Sequence, residues 1–119
     1  MRRGSSDSVR IYYPEYSREE LLILLRGRID ALKEKLPIRL VSLFGSYAKG
    51  RQTAASDIDL LVVYDGEKRG DDYKLAWDTL RIPRLQIHIY TLDEFEKLTE
   101  SGSQLPREAM DKGIILLKL

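Results

Sequence analysis

Two aspartates, Asp57 and Asp59, stand two residues apart where a polar loop meets an apolar run, in the stretch SLFGSYAKGRQTAASDIDLLVVYD (residues 42–65). In a strand, side chains two apart leave from one face. At ~3.3 Å of rise per residue their stems sit roughly 6.6 Å apart, so the carboxylates can converge on one ion. Left bare, two such charges repel. Mg²⁺ suits the pair: it is hard, prefers oxygen, and is usually held by one or two carboxylates plus substrate phosphates. His88 is the only histidine and cysteine is absent, which excludes a zinc cluster.

Upstream, Gly45-Ser46 follows the apolar run SLF. Glycine there lets backbone amides approach an anion, and Ser46 adds a hydroxyl donor. Lys49 and Arg51 bring positive charge to the same loop, suited to a triphosphate, and Ser56 leads into Asp57. Gly45 and Gly50 have the glycine spacing of a P-loop. That motif needs Lys-Ser/Thr next, and Arg51-Gln52 stands there instead, so the P-loop reading fails. A metal-bound triphosphate beside paired aspartates implies phosphoryl or nucleotidyl transfer. A two-ion site, with ions ~3.5–4 Å apart, would clamp the attacking and leaving oxygens.

Plain structural readings stand beside these. Asp57 and Asp59 could be solvated acids at a loop end, Gly45-Ser46 a tight turn, and Lys49 and Arg51 loop charges. His88 reads first as a half-buried strand histidine. Trp77 and the tyrosines read as core or rim.

These residues need elements to hold them. Ser17 with Glu20 forms a capping-box pattern, and Leu21, Leu25, Ile29, Leu32 and Leu36 recur at helical spacing until Pro37. Lys33 and Lys35 suit the helix C-terminus. IRLVSLF predicts a buried strand, DIDLLVVY a second, and DGEKRGDD a turn. DYKLAWDTL predicts a short helix with Leu75, Leu80 and either Ala76 or Trp77 toward the core. In RLQIHIYTL, Leu85, Ile87 and Ile89 fall on one strand face and Gln86, His88 and Tyr90 on the other. Thr91 with Glu94 opens a helix anchored by Phe95 and Leu98, and Gly102 ends it. PREAMDK predicts a last helical turn before Gly113, and IILLKL a closing strand. The class is mixed α/β (α+β): a small mixed sheet flanked by helices.

The chain has 119 residues, 43% hydrophobic and 33% charged, with a formal net charge of +1. One domain is expected over residues 17–119, preceded by a polar N-terminal arm over 1–16, partly disordered, in which VRIYY could form an edge strand. The near-zero net charge gives no basic field for bulk nucleic-acid binding. No apolar run approaches the ~20 residues of a membrane span, and MRRGSSDSVR lacks the apolar stretch of a secretory signal, so a cytoplasmic location is expected.

The pattern Gly45-Ser46, ten residues, Asp57-x-Asp59 resembles the signature of the minimal nucleotidyltransferases of the DNA polymerase β-like superfamily. The similarity extends through LFGSYAKGRQTAASDIDLLV to TLDEFEKL and GIILL, roughly residues 17 to 119. The resemblance implies a polymerase β-like palm fold with nucleotide phosphates on Gly45 and Ser46 and Mg²⁺ on Asp57 and Asp59. It implies transfer of a nucleotidyl group, AMP from ATP, to a hydroxyl. Family members typically add a third acid on the next core strand. Here Gln86 holds that place, with His88 the nearest substitute, and Asp65 and Asp71-Asp72 are loop-bound. Glutamine orients a hydroxyl but cannot act as a general base. A nucleotide- or partner-binding module with little catalysis is therefore the alternative. Members of this size often work beside a HEPN-type helical protein as antitoxins, and in some the transfer modifies a partner tyrosine. A homodimer or heteromeric complex is compatible with the small size.

Overall fold

A computed structural model describes residues 16–51 and 56–119. The expected arm over 1–16 and its VRIYY segment lie, apart from Tyr16, outside the described residues.

Helix α1 (Arg18–Lys33) opens on the expected capping box. Ser17 Oγ accepts from the Glu20 N–H, and the Glu20 carboxylate accepts from the Ser17 N–H. The bond from the Ser17 N–H, with the Ser17 hydroxyl beside it, holds the Glu20 carboxyl below its usual range. Leu21, Leu25, Ile29 and Leu32 are buried along one stripe. Strand β1 (Ile38–Phe44) pairs antiparallel with β2 (Ile58–Tyr64). Helix α2 (Asp72–Leu80) then crosses over to β3 (Leu85–Thr91), which runs parallel to β2. Helices α3 (Leu92–Glu100) and α4 (Gln104–Asp111) lead to β4 (Ile114–Lys118), antiparallel to β1 on its other side. The sheet order is β3-β2-β1-β4. The mixed α/β expectation is met.

The sheet has two covered faces. Ile58, Leu60, Val62 and Tyr64 of β2 join Val41, Leu43, Leu85 and Ile87 beneath α1 and α2. The smaller second core holds Leu40, Phe44, Leu61, Val63 and Ala109, with Leu92, Phe95 and Met110 against it. A register shift between Ile38 and Leu40 puts Ile38 in the first core and Leu40 in the second, although strand alternation alone would align them. On α2, Ala76 and Leu80 are buried while Trp77 is exposed, so the core position is Ala76. The small residue lets α2 lie close to the sheet, and the indole stays at the rim.

A polar network closes the end of the sheet where β2 finishes. The buried Tyr64 hydroxyl donates to Asp72 Oδ2 at 2.7 Å, and the Arg69 N–H donates to Tyr64 at 2.9 Å. Lys68 Nζ lies 2.8 Å from Asp72 and 3.4 Å from Glu94. Burial pushes the Asp72 carboxyl up. Hydrogen bonds from Lys68, Tyr64 and the Tyr73 N–H outweigh it and hold the group below its usual range. Bonding to Asp72 raises Lys68, and burial raises Tyr64.

Candidate active site

The candidate residues gather where β1 ends and β2 and β3 begin. Gly45 follows Phe44 directly and adopts φ +79°, a left-handed conformation that side chains disfavour. It starts a tight loop: the Lys49 N–H bonds to Gly45 O at 3.1 Å and the Arg51 N–H to Ser46 O at 2.9 Å. Arg18 of α1 donates to Ala48 O at 3.0 Å and ties the loop to the helix. Cross-strand pairing sets Phe44 opposite Asp59, so the turn arrives beside the aspartate. A Cβ built on Gly45 would stand 2.5 Å from Asp59 Oδ2. The proposed phosphate turn and the proposed metal carboxylate are thus neighbours, and glycine alone allows the approach.

Asp59 is half-buried and Asp57 exposed. Asp57 lies one residue outside β2, not within it as DIDLLVVY suggests. The ladder begins with the Ile58 N–H bonding to Arg84 O at 2.9 Å. Arg84 has φ +66°, outside the extended region, and strand pairing cannot continue past it. Its guanidinium Nε donates to Ser56 O at 3.1 Å, which anchors the residue before Asp57. Arg84 is a cation at the mouth of the site that sequence reasoning missed; only the β2–β3 register reveals it.

On β3, Gln86 is the register partner of Asp59 and is exposed on the same face. His88 follows two residues on. Its Nε2 lies 3.3 Å from Asp59 Oδ1, and its ring sits 5.2 Å from that of Phe44, tilted by 53°. Lys49 Nζ pairs with Glu108 of α4 at 3.6 Å, and Arg51 is exposed at the loop end. No group of three His, Asp or Glu side chains able to hold a metal occurs among the described residues. The carboxylates at this end of the sheet are those of Asp57 and Asp59, so a cation held here would need substrate oxygens to complete its shell. That suits Mg²⁺, which keeps few protein ligands, and Asp59 Oδ2 already faces the turn where phosphates would lie.

No helix among the described residues is long and apolar enough to cross a membrane. Residues 25–116 match the family model described as a nucleotidyltransferase domain. A Methanocaldococcus jannaschii relative with the provisional name protein adenylyltransferase is 33% identical over 92 residues, covering 74% of this chain and 89% of its own length. A second from that organism, under the same provisional name, is 46% identical over 46 residues, covering 39% of this chain. That alignment spans only 46% of this relative's own length, less than half. Among solved structures, a Sulfolobus solfataricus protein provisionally named a nucleotidyltransferase aligns with TM-score 0.57 at 22% identity, over 85% of this chain and 91% of its own. The tri-AMPylated Shewanella oneidensis HEPN toxin in complex with MNT antitoxin supplies a further match, TM-score 0.51 at 20% identity, over 82% and 73%. At such identities the structural likeness speaks for the fold. The family match over most of the chain carries the assignment: this protein belongs to the nucleotidyltransferase domain family.

Proposed function

We propose that the chain transfers a nucleotidyl group, AMP from ATP, to a hydroxyl on a protein acceptor, with a HEPN-type helical protein as partner. The observation that carries this reading is the close approach of Gly45 to Asp59, which supports taking the turn and the aspartates as one site. The relatives' name, protein adenylyltransferase, and the AMPylated toxin of the structural neighbour favour AMP and a protein acceptor.

In this reading Gly45 and Ser46 hold the triphosphate, with Ser56, Lys49 and Arg51 along its path. Asp57 and Asp59 hold Mg²⁺, which when bound neutralises charge on the phosphate oxygens. The acceptor oxygen attacks the α-phosphorus, the bond to the bridging oxygen breaks, and pyrophosphate leaves. Gln86 accepts a hydrogen bond from the acceptor hydroxyl and orients it, and the proton passes to water.

The position of Gln86 opposite Asp59 favours a second reading, a nucleotide- or partner-binding module with little transfer. ATP labelled at the α-phosphate, Mg²⁺ and the HEPN-type partner separate the two. Label on the partner that vanishes in Asp57→Asn supports transfer. A stable complex with no label on either protein supports the binding module and sinks the enzymatic reading.

A further inference from the structure

Asp59 is flanked on both sides. Asp59 Oδ2 abuts Gly45, and Asp59 Oδ1 faces His88 Nε2 at 3.3 Å. His88 reaches back from β3 across the sheet and is itself steadied by the ring of Phe44, the β1 residue paired with Asp59. Phe44 is buried and belongs to the second core. The imidazole therefore rests on a fixed apolar surface and points its nitrogen at one carboxylate oxygen. The side chains of His88 and Asp59 are 32% and 30% exposed, so the pair is reached from solvent.

We propose that His88 is a positioning residue: its Nε2–H engages Asp59 Oδ1 and so presents Oδ2 alone to the cation at the glycine turn. The proposal rests on the metal-site reading above. A carboxylate free to rotate could offer either oxygen or both. Mg²⁺ requires near-octahedral geometry at ~2.0–2.1 Å, so fixing one oxygen next to the phosphate turn favours Mg-nucleotide over looser modes. Residues that orient a metal ligand in this manner typically change metal affinity 10- to 100-fold when removed. His88 thus serves the site without being the missing acid: it acts on Asp59, whereas the third carboxylate's place belongs to Gln86.

Mn²⁺ binding in the presence of a non-hydrolysable ATP analogue, followed by electron paramagnetic resonance, tests this without turnover. His88→Phe keeps the ring packing on Phe44 and removes the donor; His88→Gln keeps an amide donor at similar reach. The expected result is Mn²⁺ affinity about 10- to 100-fold weaker in His88→Phe, largely restored in His88→Gln, with thermal melting of both near wild type. If His88→Phe does not fold, His88→Leu is read in its place. Wild-type affinity in the donorless variant, or an equal loss in His88→Gln, overturns the proposal. Asp59→Asn separates the two levels: loss of Mn²⁺ binding there leaves the metal site standing whatever His88 does, and unchanged binding overturns the site itself.

Discussion

Replacing Gly45 by alanine should damage the site more than the fold, and the structure supplies its own control. Gly45 and Gly102 share φ +79°, but a Cβ on Gly102 meets nothing within 4 Å, whereas one on Gly45 stands 2.5 Å from Asp59 Oδ2. A left-handed conformation costs a non-glycine residue ~1–2 kcal/mol, and both variants bear that cost together with the same change in the unfolded chain. Only Gly45→Ala adds a clash. Asp59 relieves it by leaving its rotamer, at ~0.5–1.5 kcal/mol for a turn of ~30°. Gly45→Ala should therefore be less stable than Gly102→Ala by about 1 kcal/mol, a few degrees in melting temperature for a domain of this size. The effect on binding is larger, because the carboxylate oxygen that faces the phosphate turn is the atom displaced. Mn²⁺-nucleotide affinity should fall at least tenfold in Gly45→Ala and stay at the wild-type value in Gly102→Ala, measured by electron paramagnetic resonance titration and differential scanning calorimetry. Equal Mn²⁺ affinity in the two variants would refute the claim that turn and aspartate form one site.

Two further perturbations address the Asp72 network and the seat opposite Asp59. At Asp72, alanine should destabilise by ~1–3 kcal/mol because the buried Tyr64 hydroxyl loses its acceptor; asparagine should cost less, and Lys68→Ala least, its ion pair being half-exposed. The depressed Asp72 carboxyl contributes stability above its unfolded value of about 3.9 and loses it as pH falls through the lower folded value, while the raised Lys68 contributes below about 10.4 and loses it as pH rises through the higher folded one. Urea midpoints of wild type should therefore drop relative to Asp72→Asn on acidification below about pH 4, and a constant difference down to pH 2 would contradict the network. Gln86→Glu places a carboxylate opposite Asp59. If proton removal limits transfer, labelling of the acceptor should rise by at least ~10-fold, given that a positioned general base contributes ~10²–10⁴-fold; an unchanged rate with intact nucleotide binding would show that this seat does not take the proton.

The elements were legible because their signals are local. Both capping boxes, the leucine stripe of α1, the parity of β3 and the stop at Gly102 follow from residues within a few positions of one another. The approach of Asp59 to Gly45 was legible as a motif. What was not legible depends on register and close approach. Arg84 reaches Ser56 across 28 positions, His88 reaches Asp59 across 29, and Lys49 meets Glu108. Gly113 illustrates the same limit. It reads as a helix stop, yet a Cβ there would strike Ala109 O, as well as Ser42 Oγ at 2.5 Å, so glycine also lets α4 turn tightly onto β1. The buried Ser42 hydroxyl fills that junction by donating to Ala109 O at 2.6 Å.

The core fixes the site through the register of one strand pair. Asp59 opposes Gln86, and period-two alternation then adds His88 to the same face while Leu85 and Ile87 point into the first core. A one-residue slip of β3 would exchange these sets, exposing Leu85 and Ile87 and pressing Gln86 and His88 into apolar packing. Each exposed aliphatic side chain would cost ~1.5–3 kcal/mol, before any cost of burying polar groups. The other end of β2 is fastened independently, by Tyr64 and Asp72 to the start of α2 and by Lys68 to Glu94 of α3. The crossover that delivers β3 is thus anchored at its entry, and its register is set by burial along its length. Site residues contribute little to either. That division explains how an exposed glutamine can occupy a seat beside Asp59 without weakening the fold: the seat is positioned by Leu85 and Ile87, so its chemistry is free to differ.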